Sequence, residues 1–148
     1  MGMNEMAEAM AIVAPRILEE SAYVFSEPLD GPDEPSDDWR PVGVQLRWEG
    51  PSNGAMRIWA DPALLPVLAA NMLGIEEDDP VCASKGLDAI KETLNMIVGN
   101  CLTEAWGPGP VFHLNIPETV APELFGDDRA EGIWQAIEGR PVLFWCGT

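Results

Sequence analysis

The chain has 148 residues, 47% of them hydrophobic and six of them tryptophan, enough for a real core in one domain spanning 1–148. Its formal net charge is −17, from 25 acidic and 8 basic residues. That excess argues against nucleic acid and against an anionic membrane surface, because both call for Lys and Arg gathered on one face.

The three cysteines, Cys82, Cys101 and Cys146, are odd in number and lack C-x-x-C spacing. With no secretion signal at the start, they read as reduced thiols of a cytoplasmic protein. His113 is the only histidine, no His/Cys spacing suits a metal, and no apolar run has the length of a membrane span.

In chain order, residues 4–25 carry a helical apolar pattern through Met6, Met10, Ile12, Val13, Ile17, Leu18 and Val24, with a break or kink expected near Ala14 from Pro15. Residues 27–38 hold three prolines and six acidic residues and read as a solvated loop. Val42, Val44, Leu46 and Trp48 then alternate with polar or small residues, a half-buried strand. The turn Pro51-Ser52-Asn53-Gly54 returns it through Met56 and Ile58, so 42–60 is a hairpin. Asp61-Pro62 caps a helix to Leu73 that Gly74 stops, and 76–80 is a second acidic linker. The longest helical pattern covers 84–106, with Ser84 as its N-cap and Gly107-Pro108-Gly109-Pro110 as its end. Strands follow at 111–117, 132–138 and 141–146, the last two joined by a tight turn at Gly139-Arg140. Residues 118–130 connect them with one short helical turn. Two halves, each a long helix followed by paired strands, make an α+β domain with long helices packed on a largely antiparallel sheet.

On a helical wheel, Leu87, Ile90, Leu94, Ile97, Val98, Cys101 and Ala105 of the 84–106 helix share a core face. Asp88, Glu92, Asn95 and Gly99 form a separate stripe that should face solvent. Two of these are poor choices for stability: an asparagine amide competes for the backbone, and a mid-helix glycine costs about 1 kcal/mol relative to alanine. A carboxylate three residues before an amide is by itself a weak signal, and Gly99 equally fits close packing by another helix or strand. Elsewhere, Asp127-Asp128 reads as solvated surface, Trp48, Trp59, Trp134 and Trp145 as core or interface, and His113 as structural.

The segment DAIKETLNMIVGN, with Asp88, Glu92, Asn95 and Gly99 at its marked positions, resembles the signature helix of the CheC/CheX chemotaxis phosphatases. EESAYVFSEPLD resembles the end of that family's leading helix, and the order of elements agrees over nearly the whole chain. Pro117 stands one residue short of the position where the family pattern places a proline. A single E-x-x-N helix is present, as in the CheX branch, whereas CheC has two such sites. The resemblance implies a phosphatase acting on the aspartyl phosphate of a CheY-like response regulator, in chemotaxis or another two-component pathway. It implies Glu92 and Asn95 as the catalytic residues, Asn95 positioning water and Glu92 pairing with the receiver's active-site lysine, with a base role for Glu92 as the less favoured alternative, and Asp88 and Gly99 as partner-binding positions. It implies no cofactor of the chain's own, with Mg²⁺ carried by the receiver, and a homodimer formed by pairing sheets. The apolar strand 141–146 would make a hazardous free edge and so suits that pairing. The alternative within the same fold is a binding module, like the flagellar switch proteins, that captures a regulator without turnover.

Overall fold

The computed structural model describes residues 3–29 and 35–148. Helices α1 (Met3–Ala22), α2 (Leu64–Leu73) and α3 (Pro80–Trp106) pack on one face of an antiparallel sheet. The strands are β1 (Ser26–Pro28), β2 (Val42–Glu49), β3 (Gly54–Ala60), β4 (His113–Leu114), β5 (Glu118–Thr119), β6 (Ile133–Ile137) and β7 (Arg140–Gly147), and a short helix, α4 (Phe125–Glu131), precedes β6. Their order is β1-β6-β7-β3-β2-β4, with β5 also pairing β2. No helix among the described residues is long and apolar enough to cross a membrane.

The helix-facing core takes Val44, Leu46 and Trp48 from β2, Met56 and Ile58 from β3, and Val142 and Phe144 from β7, against Met10, Val13, Leu68, Leu94 and Val98 of the helices. The expected half-buried hairpin is buried on its other face too. There Trp59, Trp134 and Leu143 form a second core, covered by Trp39, Leu124 and Phe125. Gly43 makes this possible, since a Cβ there would lie 2.5 Å from the Trp59 ring. The four strand tryptophans are buried as expected.

Several boundaries differ from the sequence reading. Helix α1 runs through Pro15 without a break. Met6, Met10, Ile17 and Leu18 are buried on both sides of the proline, and the exposed Ala11, whose carbonyl loses its donor, can turn to water. The helix closes instead at Tyr23, left-handed at φ 54°, with the Val24 N–H donating to the Leu18 carbonyl at 3.2 Å. Helix α3 begins four residues earlier than expected. Asp79, not Ser84, is its cap, accepting from the Val81 N–H at 2.9 Å with Pro80 in the first turn, while Ser84 bonds back to the Val81 carbonyl. Residues 76–79 are thus the turn between α2 and α3. Part of the expected acidic loop 27–38 is β1, paired with β6, and residues 30–34 of it lie outside the described residues. The β6–β7 turn falls at Glu138-Gly139, both with positive φ (54° and 74°), the form that suits a two-residue hairpin.

Two corrections bear on function. The expected strand 111–117 reduces to His113–Leu114, followed after an interruption by Glu118–Thr119. Strand β7 is interior, between β6 and β3, so it offers no free edge and gives no ground for a dimer.

Candidate functional site

Helix α3 is fixed by its apolar face. Ile90, Leu94, Ile97, Val98 and Cys101 are buried, with Leu87 and Ala105 at the margin. Gly86 lets α2 approach closely, a Cβ there meeting Leu65 at 2.8 Å. A helix anchored along so much of its length presents its outer face with little freedom.

That outer face carries the predicted stripe. Asp88 and Glu92 are exposed, and Asn95 and Gly99 half-buried. Asp88 faces Lys85 at 3.8 Å, an exposed i,i+3 pair worth little. Among the described residues, Glu92 and Asn95 have no side-chain hydrogen-bond or ion-pair partner. The contrast with Asn100 is informative: its amide donates to the Met96 carbonyl at 2.8 Å, the usual way a helical asparagine settles. The Asn95 amide keeps both its donor and its acceptor available. Residues three apart on a helix stand about 5–6 Å apart at Cβ, so one molecule can touch Glu92 and Asn95 together. Gly99 has nothing within 4 Å of where a Cβ would stand, so packing within the chain does not require a glycine there.

The stripe forms one wall of an open groove. Asp88, Lys91, Glu92 and Asn95 face Leu114, Asn115, Ile116 and Pro117 across a cavity of about 500 Å³. Leu114 also lines the continuation, about 190 Å³, between Gly99 and Thr103 on the helix and Pro108, Pro110 and Phe112 on the following loop. Asp88, Glu92 and Asn95 therefore border the first cavity and Gly99 the second, and the two cavities share Leu114. The groove's second wall is not evident in the sequence beyond the landmark Pro117. His113 is exposed and outside these two cavities, and the three cysteines are unpaired. Burial pushes the Cys101 thiol up to about 12 and Cys146 up to about 11, so neither suits a nucleophile.

Of the Asp127-Asp128 pair, Asp127 is exposed as expected, and Asp128 departs most clearly from the sequence reading. Asp128 is 2% exposed and accepts from Arg57 at 2.8 and 3.0 Å and from the Trp59 Nε1 at 2.8 Å. It belongs to the far face of the sheet, where Arg57 also bonds Gln45 and lies over the Trp145 ring, and has a structural place.

The profile of the family described as chemotaxis phosphatase CheX matches residues 42–136, from the first hairpin through the groove to β6. The chain belongs to the CheX family. Among solved structures it is similar to a CheX from Desulfovibrio desulfuricans, at 16% identity over 97% of this chain and 98% of that one, with a TM-score of 0.70. It is also similar to the CheX of a CheX–CheY–BeF₃–Mg²⁺ complex from Borrelia burgdorferi, at 20% identity, 95% of each chain and a TM-score of 0.66. A FliY from Thermotoga maritima is similar at 19% identity, over 99% of this chain and 90% of that one, with a TM-score of 0.56. At these identities the structures establish a shared fold. A search of curated proteins finds no match. In this CheX-family chain, Asp88, Glu92 and Asn95 border one cavity along α3 and Gly99 the next.

Proposed function

We propose that the chain is a phosphatase that hydrolyses the aspartyl phosphate of a CheY-like receiver domain. The observation that carries this is the pairing of Glu92 with an unbonded Asn95 on the solvent-facing side of a buried helix, beside an open Gly99. An acyl phosphate is already reactive, so the catalyst needs chiefly to place water in line and stabilise charge. The Asn95 amide can donate to and accept from one water at once. The water oxygen bonds to phosphorus as the bond to the aspartyl oxygen breaks. The aspartate carboxylate leaves with the electron pair, and the water's proton passes to the phosphate released. Glu92 pairs with the receiver's active-site lysine and orients the two proteins, Asp88 adds to that docking, and Gly99 admits the receiver backbone. Mg²⁺ comes with the receiver, where it offsets phosphoryl charge.

The setting is cytoplasmic two-component signalling, with chemotaxis the pathway the family suggests. The reading includes a homodimer. With β7 interior, the sheet ends at β1 on one side and at β4 and β5 beside the groove on the other, and the edge away from the groove is β1, preceded by the exposed Tyr23 and Phe25. Light scattering tests that contact, and a Phe25→Asp protein should scatter as a monomer.

Phosphate release from a phosphorylated receiver tests the activity. Asn95→Ala should abolish hydrolysis while binding survives, and Glu92→Ala should weaken both. Full activity in Asn95→Ala would remove the mechanism. Release limited to one phosphate per chain would indicate a capture module in place of an enzyme.

A further inference from the structure

The second wall of the groove is built on a break in the sheet edge. Leu114 pairs opposite Trp48, and Glu118 opposite Gln45. Three residues, 115–117, lie between the first pair and the second on this strand, against two, 46–47, on β2. The one extra residue is a β-bulge, a device that re-aims side chains at sheet edges and beside sites. The Asn115 N–H donates to the Arg47 carbonyl at 2.9 Å and ties the bulge down on one side. Pro117 has no N–H to continue the ladder on the other. Between them Ile116 is 87% exposed, at the lip of the cavity that Glu92 and Asn95 share.

A β-branched apolar side chain held in water on an anchored backbone loses little rotamer freedom when it is covered. Covering it removes apolar surface from water, which is favourable. Lys91 lines the same cavity and Lys85 stands 3.8 Å from Asp88, so the carboxylate left for an occupant's cation is Glu92, with Ile116 offering an apolar contact across from it. A receiver that brings its phosphorylated aspartate to Glu92 and Asn95 would enter the cavity that Ile116 also lines.

We propose that Ile116 is an apolar anchor for the receiver and sets its affinity without taking part in the chemical step. This rests on the receiver being the partner of the site. The test is titration of the whole chain against a panel of CheY-type receiver domains carrying beryllofluoride and Mg²⁺, the beryllofluoride standing in for the phosphoryl group. Single-turnover hydrolysis of the phosphorylated domain at saturating chain accompanies it. Ile116→Ser should weaken Kd about tenfold, the scale of burying one aliphatic side chain, and leave the single-turnover rate unchanged. Ile116→Leu should recover most of the affinity. A Kd for Ile116→Ser equal to that of the unaltered chain overturns the proposal, as does a Kd unchanged alongside a slowed chemical step. Binding without hydrolysis by the unaltered chain would remove the phosphatase reading and, with a weakened Ile116→Ser, leave the anchor standing. Absence of binding to every receiver in the panel overturns both.

Discussion

Asp128 receives both of its Arg57 hydrogen bonds, at 2.8 and 3.0 Å, from a strand 71 residues earlier in the chain, and so fastens α4 to the sheet. The same carboxylate takes the Trp59 indole N–H at 2.8 Å. Removing it leaves a nearly buried guanidinium and a buried N–H without their acceptor. Asp128→Ala should therefore destabilise the fold by roughly 3–5 kcal/mol, the usual cost of breaking a buried pair. Asp127→Ala, at the exposed neighbour, should stay within about 0.5 kcal/mol. Denaturant midpoints compare the two. Equal midpoints would mean that Arg57 finds another partner.

Gly99 separates stability from function. A Cβ there meets nothing within 4 Å, and the residue sits inside a helix, so Gly99→Ala should stabilise the protein by up to about 1 kcal/mol. If the open patch admits a receiver backbone, the same methyl should lower kcat/KM for receiver dephosphorylation. The expected outcome is a higher melting temperature together with reduced phosphate release. A gain in stability with unchanged activity would assign Gly99 no part in docking.

Glu92 and Asp88 are exposed carboxylates lining an open groove, and the proposed docking draws on their charge. Charge attraction across such a surface is screened within about 8–10 Å at physiological salt. Glu92→Gln keeps the size of the side chain and removes its charge. Receiver binding should weaken about fivefold at low salt, the upper range for an exposed pair. The difference from the unaltered chain should narrow as salt rises. A salt-independent loss would point to a hydrogen bond or to packing as the source of the effect.

The features legible in the sequence are those set by local periodicity. The buried and open faces of α3 follow from a 3.6-residue repeat that tertiary packing leaves intact, which is why spacing alone places Glu92, Asn95 and Gly99 on one open stripe. The cap Asp79 is concealed in the acidic run 76–80, although Asp79-Pro80 repeats the dipeptide Asp61-Pro62; Asp79 accepts the Val81 N–H inside α3, whereas Asp61 accepts the Ala63 N–H one residue before α2 begins at Leu64. Features set by distant partners are hidden. Asp128 looks as solvated as Asp127 until Arg57 is brought beside it, and β7 looks like an edge until β6 and β3 flank it. The bulge at 115–117 is a mismatch between two strands, so no property of residues 111–117 alone reports it. Pro15 looks like a helix breaker, yet burial on both sides of it outweighs the loss of one helical bond.

The thiols give a pH prediction. Burial raises Cys101 from 9.0 to about 12 and Cys146 from 9.0 to about 11. A thiol whose pKa is higher in the folded state binds its proton more tightly there than in the unfolded chain. Its contribution to stability is complete below pH 9 and is lost as pH rises through the 9–12 window, because the unfolded chain releases its protons first. The slope approaches about 1.4 kcal/mol per pH unit for each thiol still protonated in the fold. Unfolding midpoints should carry no thiol-dependent slope between pH 6 and about 8, then fall from about pH 9. Cys101→Ala removes the larger of the two contributions, so its midpoint should fall less steeply over the same range. The same slope in both proteins would show that the alkaline loss of stability comes from groups other than Cys101.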